Sequence, residues 1–182
     1  MFCGWGYDKT VWGFLELRQV SHAPMPTVHL IHGYLGAGMT TFAKKLADEV
    51  SDESFNPDER MVRHYGEDPP ADQFARRLER VFALLDEQWM RVARCGVDVV
   101  LDYGFWTRAS RDAARERAAA AGATCRLYSL QCAEATARAR CRNRNANIQG
   151  RLYIADATFD SLRSRWEPLQ PDEPHELINT DA

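Results

Sequence analysis

Three glycines, Gly33, Gly36 and Gly38, followed by Met39, Thr40 and Thr41, carry the most specific chemistry in the chain. They follow an apolar run over residues 28–32 and precede the helical spacing of Phe42, Ala43, Leu46 and Val50. Strand, glycine turn, helix is the context in which G-x-x-x-x-G-K-[ST] cradles phosphates. Gly33 and Gly38 take the two glycine positions, and Gly36 lets the backbone come close to an anion. Leu35, Ala37 and Thr41 complete the cradle, and Thr40 stands where a hydroxyl would ligate Mg²⁺. Amides and the dipole at a helix N-terminus attract negative charge, so the turn reads as a phosphate-binding loop, or P-loop.

Met39 occupies the position of the motif lysine. A thioether offers no donor, and a charge-assisted hydrogen bond to phosphate is worth roughly 1.5–3 kcal/mol. Phosphoryl transfer rests on positioning and charge stabilisation, so turnover is expected to suffer more than binding. The only lysines are Lys9, Lys44 and Lys45. Lys44 lies about 140° around the helix from Met39 and about 7.5 Å along it, facing away from the turn. Three explanations stay open: an introduced inactivating substitution, a natural pseudoenzyme, or an arginine supplied from elsewhere.

Further candidates are polar residues beside predicted strand ends. Asp102 ends the apolar run 97–101 and is a candidate Mg²⁺ ligand, against the plainer reading of a solvated carboxylate. Asp58, with Glu59 as its substitute, is a candidate base for an acceptor hydroxyl; a helix cap is the alternative. Arg138, Arg140, Arg142 and Arg144 crowd a helix end, with Arg140 and Arg144 four apart on one side. They could clamp phosphate or stack on a base, or form a solvated basic face. Arg108 and Arg111 could reach an acceptor anion. His29 alternates with apolar neighbours and reads as a core residue, His32 abuts the loop without an evident partner, and Phe105 and Trp106 read as a pocket wall.

The elements that must position these residues alternate. Helix one spans 39–50, and a short strand around Phe55 ends at an acidic turn. A long amphipathic helix covers residues 71–94, with Phe74, Leu78, Val81, Phe82, Leu85 and Met90 on its apolar face. A strand over 97–102, a helix over 108–121, a strand over 124–130, helices over 133–144 and 157–166, and a last strand over 176–179 follow. Such alternation predicts an α/β fold with a parallel sheet of about five strands, covered on both faces. Ligands of such sheets bind at the carboxyl ends of the strands. Gly33, Asp58 and Asp102 are therefore expected to follow strand ends and converge on one cleft.

The chain of 182 residues fits one domain over 27–182, preceded by an arm over 1–26 expected to be disordered or loosely packed. A net charge of −3 exerts no pull toward nucleic acid or anionic membrane, and no apolar run is long enough to span one. The five cysteines form no C-x-x-C pair, which suggests reduced thiols in a cytoplasmic protein.

The P-loop run, Pro57-Asp58-Glu59, the segment from Val100 to Trp106, Arg111-Asp112, Arg144-Asn145 and Trp166-Glu167-Pro168 together resemble the AAA-type predicted kinases. That group has the adenylate-kinase-like P-loop NTPase fold and is similar to zeta toxins and chloramphenicol phosphotransferase. The resemblance covers roughly residues 27–181. It implies a three-layer fold with a small lid at about 144–157, ATP or GTP at the loop, and Mg²⁺ at Thr40 and Asp102. It further implies Arg140 and Arg144 as lid arginines and Arg108 as an acceptor contact. The expected activity is transfer of a γ-phosphoryl group to a hydroxyl of a small-molecule or nucleoside-like acceptor, impaired by Met39. The alternatives are a nucleotide-binding pseudokinase acting as a regulatory module and a polynucleotide 5′-hydroxyl kinase. The run Asp52-Glu53 to Asp58-Glu59 argues against the last. The sequence leaves acceptor and oligomeric state open.

Overall fold

The computed structural model describes residues 25–50, 53–146 and 150–181. The expected arm lies outside them except for Met25 and Pro26, and so does the centre of the expected lid, residues 147–149. Eleven elements follow in order: β1 (Thr27–Gly33), α1 (Met39–Val50), β2 (Ser54–Phe55), α2 (Pro57–Tyr65), α3 (Ala71–Arg94), β3 (Val99–Gly104), α4 (Arg108–Ala120), β4 (Thr124–Gln131), α5 (Glu134–Ala146), α6 (Asp156–Arg163) and β5 (Glu176–Asn179). The sheet order is β2-β3-β1-β4-β5 and every pairing is parallel.

Alternation along the central strands splits the core in two. Val28, Leu30, Val99, Leu101 and Leu127 face Val81, Leu85 and Trp89 of α3 and Ala114 and Ala118 of α4. Ile31, Val100, Tyr128 and Leu130 face Ala43, Leu46 and Ala47 of α1. Both sheet faces are thus buried, as a parallel sheet requires. A third, smaller cluster of Tyr34, Ala137, Cys141 and Phe159 fastens α5 and α6 over the turn that follows β1.

Three local features differ from expectation. The acidic turn after β2 is a helix, α2, whose N-cap is Asn56: its side chain accepts from the Glu59 amide at 3.0 Å, and Pro57 opens the first turn. β3 continues to Gly104, so Asp102 lies inside the strand and does not follow it. Arg111 reaches no acceptor cleft. It is fully buried in a two-pronged pair with Glu173, at 2.7 Å from Nε and 2.8 Å from Nη2.

That pair fastens the segment before β5 to α4, while Arg111 also donates to the Phe105 carbonyl at 3.0 Å. Arg111, with further help from Arg115, holds the Glu173 carboxyl far below the usual range. Removing one member of a buried pair strands the other charge, whereas an apolar replacement of both is close to neutral. Glu173→Ala is therefore expected to cost about 3–5 kcal/mol in denaturant unfolding, and Arg111→Met with Glu173→Leu much less.

Candidate active site

The turn after β1 is shaped by its glycines. Gly36 and Gly38 adopt φ of +77° and +85°, which side-chain-bearing residues rarely do. At Gly36 a Cβ would stand 2.3 Å from the Ala137 carbonyl oxygen, so the loop and α5 meet backbone to backbone. The Ala37 amide closes the turn onto the Tyr34 carbonyl at 3.0 Å, and the first helical bond runs from the Phe42 amide to the Gly38 carbonyl. The amides of Met39, Thr40 and Thr41 open α1 and have no intrahelical acceptor. Leu35 packs with the Tyr34–Phe159 cluster. The Met39 side chain folds back over Gly33, where a Cβ would meet its Cγ at 3.0 Å and its sulfur at 3.1 Å. Trp106 donates its indole N–H to the Gly33 carbonyl at 3.0 Å, so it does wall the loop.

Beside this turn β3 delivers Asp102, only 6% exposed. Its carboxylate accepts from the Asn56 amide and from the Thr40 hydroxyl. Burial, reinforced by the neighbouring charge of Asp58, pushes its pKa up to about 6 despite those two hydrogen bonds. Asp58, in the first turn of α2, keeps accessible surface. Desolvation by the surrounding protein nevertheless raises its pKa, partly offset by Arg144. Glu59 pairs with Lys44 at 2.8 Å.

The arginines separate sharply. Arg138 pairs with Asp160 and Glu134, and Arg142 pairs with Asp156. Arg140 spends its guanidinium on Thr180 and on the Gly36 carbonyl. Arg144 alone of the four has buried donors, Nε and Nη2, with no partner among the described residues. A buried guanidinium without an acceptor is costly, and an incoming anion removes that cost. Arg108 is not free for an acceptor: Asp112 and Asp172 hold it at 2.8 and 2.9 Å, and its amide binds Glu167. From the expected lid, Asn145 holds both main-chain groups of Ile154, while the Gly150 and Tyr153 amides reach Glu67 in the α2–α3 turn. His29 is a core residue bonded to Tyr128 at 3.0 Å, and His32 has a partner after all, the Phe105 carbonyl at 3.0 Å. The residues that sequence reasoning missed are Asn56, for which the N-cap signal before Pro57 was available, and Thr180, for which nothing local was.

A glycine turn at the carboxyl end of the central strand, a hydroxyl on the first helical turn and an acid on the adjacent parallel strand give the chain the fold of the P-loop kinases. The chain belongs to the AAA domain family, which it matches over residues 28–169. Its fold is similar to a crystal structure of a candidate kinase from Chloroflexus aurantiacus, with a TM-score of 0.69 at 16% identity over 86% of this chain and 89% of that one. It also resembles Kti12 of Chaetomium thermophilum in complex with ADP-AlF3, with a TM-score of 0.60 at 19% identity over 85% and 89%. A gluconokinase from Sinorhizobium meliloti gives 0.56 at 13% identity over 85% and 83%. No curated protein matches in sequence. No helix among the described residues is long and apolar enough to cross a membrane.

The raised pKa of Asp102 has a definite sign. A carboxyl that binds its proton more tightly in the fold favours the native state at low pH, and that contribution is lost as pH rises from about 4 to about 6. Asp102→Asn carries no such penalty, and whatever a changed hydrogen bond costs does not vary with pH. Its stability relative to the unsubstituted chain is expected to climb across that window by about 3 kcal/mol, read from unfolding curves at each pH.

Proposed function

We propose that this chain binds a nucleoside triphosphate at residues 33–41 and is built to transfer its γ-phosphoryl group to a hydroxyl of a small-molecule or nucleoside-like acceptor. The observation that carries the reading is a connected set of groups: the Thr40 hydroxyl on Asp102, the charge of Asp58 acting on Asp102, and that of Arg144, with Nε and Nη2 unpartnered, acting on Asp58. The amides of Gly38 to Thr41 face the phosphates, and Arg144 supplies the positive charge that Met39 does not. Asp58 accepts the proton of the acceptor hydroxyl as its oxygen forms the new bond to phosphorus and the bond to the nucleoside diphosphate breaks. A raised pKa suits Asp58 to that exchange. Arg108, expected at the acceptor, would act there only by releasing Asp112 and Asp172.

The hard oxygens of Thr40 and Asp102 fit Mg²⁺, and a carboxylate that resists ionisation without a cation nearby agrees with that fit. When bound, the ion would neutralise charge on the phosphate oxygens.

Met39 favours a second reading, a nucleotide-binding pseudokinase with a regulatory role. The two part in one experiment. Met39→Lys is expected to tighten ATP binding about 10- to 100-fold in calorimetry and to raise phosphoryl transfer to a panel of hydroxyl acceptors by more. Tighter binding with no transfer to any acceptor selects the pseudokinase, and no binding by either form sinks both.

Arg144 provides a separate check. Arg144→Met is expected to raise the Tm of the nucleotide-free protein by a few degrees, roughly 1 kcal/mol, while weakening ATP binding about tenfold. A gain in stability without loss of affinity rules the side chain out of the phosphate site.

A further inference from the structure

Where β5 ends, Thr180 sits against the P-loop. Its hydroxyl lies 2.9 Å from the Ala37 carbonyl, to which it donates, and 3.3 Å from Arg140 Nη1. Arg140 reaches the Thr180 carbonyl through Nη2 and the Gly36 carbonyl through Nη1 at 3.5 Å. The next residue, Asp181, accepts from the Ala133 amide at 2.8 and 3.0 Å, just before α5 starts. β5, α5 and the loop are thereby joined through side chains that no local sequence signal marks.

We infer that Thr180, with Arg140, is a positioning device that holds the P-loop amides aimed at the phosphates. The geometry of the peptide unit explains how. In a planar trans peptide the C=O and N–H point in opposite directions. Drawing the Ala37 carbonyl outward to Thr180 therefore turns the Gly38 N–H inward. The peptide before it is fixed at both ends, its N–H on Tyr34 and its carbonyl facing Arg140. Both peptides adjoin glycines at positive φ, the residues for which a peptide flip meets least resistance. Without the tether the loop would sample flipped forms that present carbonyl oxygens to an anion. With no lysine at position 39 to dominate the electrostatics, preorganised amides carry a larger share of binding.

This inference rests on the nucleotide-binding reading for its consequence but not for its geometry, and the test separates the two. Thr180→Val keeps the shape and removes the hydroxyl, and Thr180→Ser keeps the hydroxyl. Arg140→Met removes the other arm. In nucleotide-free protein, hydrogen exchange of the Ala37 and Phe42 amides, which are bonded to Tyr34 and Gly38, is expected to rise about tenfold in Thr180→Val and Arg140→Met. Serine should stay within about twofold of the unsubstituted chain. ATP and ADP affinities by calorimetry are expected to fall about tenfold in the same two variants and to be retained in serine. Unchanged exchange in Thr180→Val overturns the inference, and so does weakened binding with unchanged exchange, because the hydroxyl would then touch the nucleotide directly. Faster exchange in a protein that binds no nucleotide in any form supports the tether and overturns the nucleotide reading instead.

Discussion

The approach of two backbones at Gly36 governs the geometry of this site. Because Ala137 of α5 lies where a side chain at position 36 would be, the loop cannot shift without α5. Helical periodicity then locates the rest. Arg144 is seven residues beyond Ala137, close to two full turns, so it shares that face about 10.5 Å further along the axis. The cradle and the free guanidinium are therefore held at a fixed separation by one rigid element. The same helix carries Arg140 to the loop carbonyls and, through Cys141 and Ala137, packs under Tyr34 and Phe159.

Charge at the site is unevenly distributed. Asp58 and Asp102 repel each other, and both are pushed toward the protonated form by their surroundings. Lys44 pairs with Glu59, whose charge still adds to the load on both carboxylates. Arg144 is the one of the four α5 arginines with unpartnered buried donors, and its charge offsets part of the load on Asp58. A P-loop lysine would share that load. Met39 instead adds its side chain to the apolar packing against α1 and the sheet.

Much of this was legible in the amino-acid order, for identifiable reasons. β1, the glycine turn and α1 stand out because strand and helix periods switch cleanly at a motif with strict spacing. α3 was bounded to the residue because 24 residues of one amphipathic pattern leave little ambiguity. α2 was missed because PDERMVRHY buries only Pro57 and Met61, too few to show a period, although Asn56-Pro57 announced its start. The functions of arginines were the least legible. Arg111 meets Glu173 from 62 positions away and Arg140 meets Thr180 from 40, so four similar-looking side chains on α5 could not be sorted before their partners were placed.

The Phe105 carbonyl receives both Arg111 and the Nδ1 of His32, at the start of the β3–α4 connection, where Gly104 and Phe105 both take positive φ. A carbonyl can only accept, so the proton of His32 resides on Nδ1 and the ring is the tautomer with a bare Nε2. Burial depresses the pKa of this imidazole further. The uncharged ring is thereby favoured over the imidazolium. It stacks on Trp166 at 5.4 Å as an aromatic spacer between the first strand and the segment leading to β5. The proton held near neutral pH beside the glycine turn is thereby that of the Asp102 carboxyl, its pKa pushed up to about 6, while the His32 ring serves as packing.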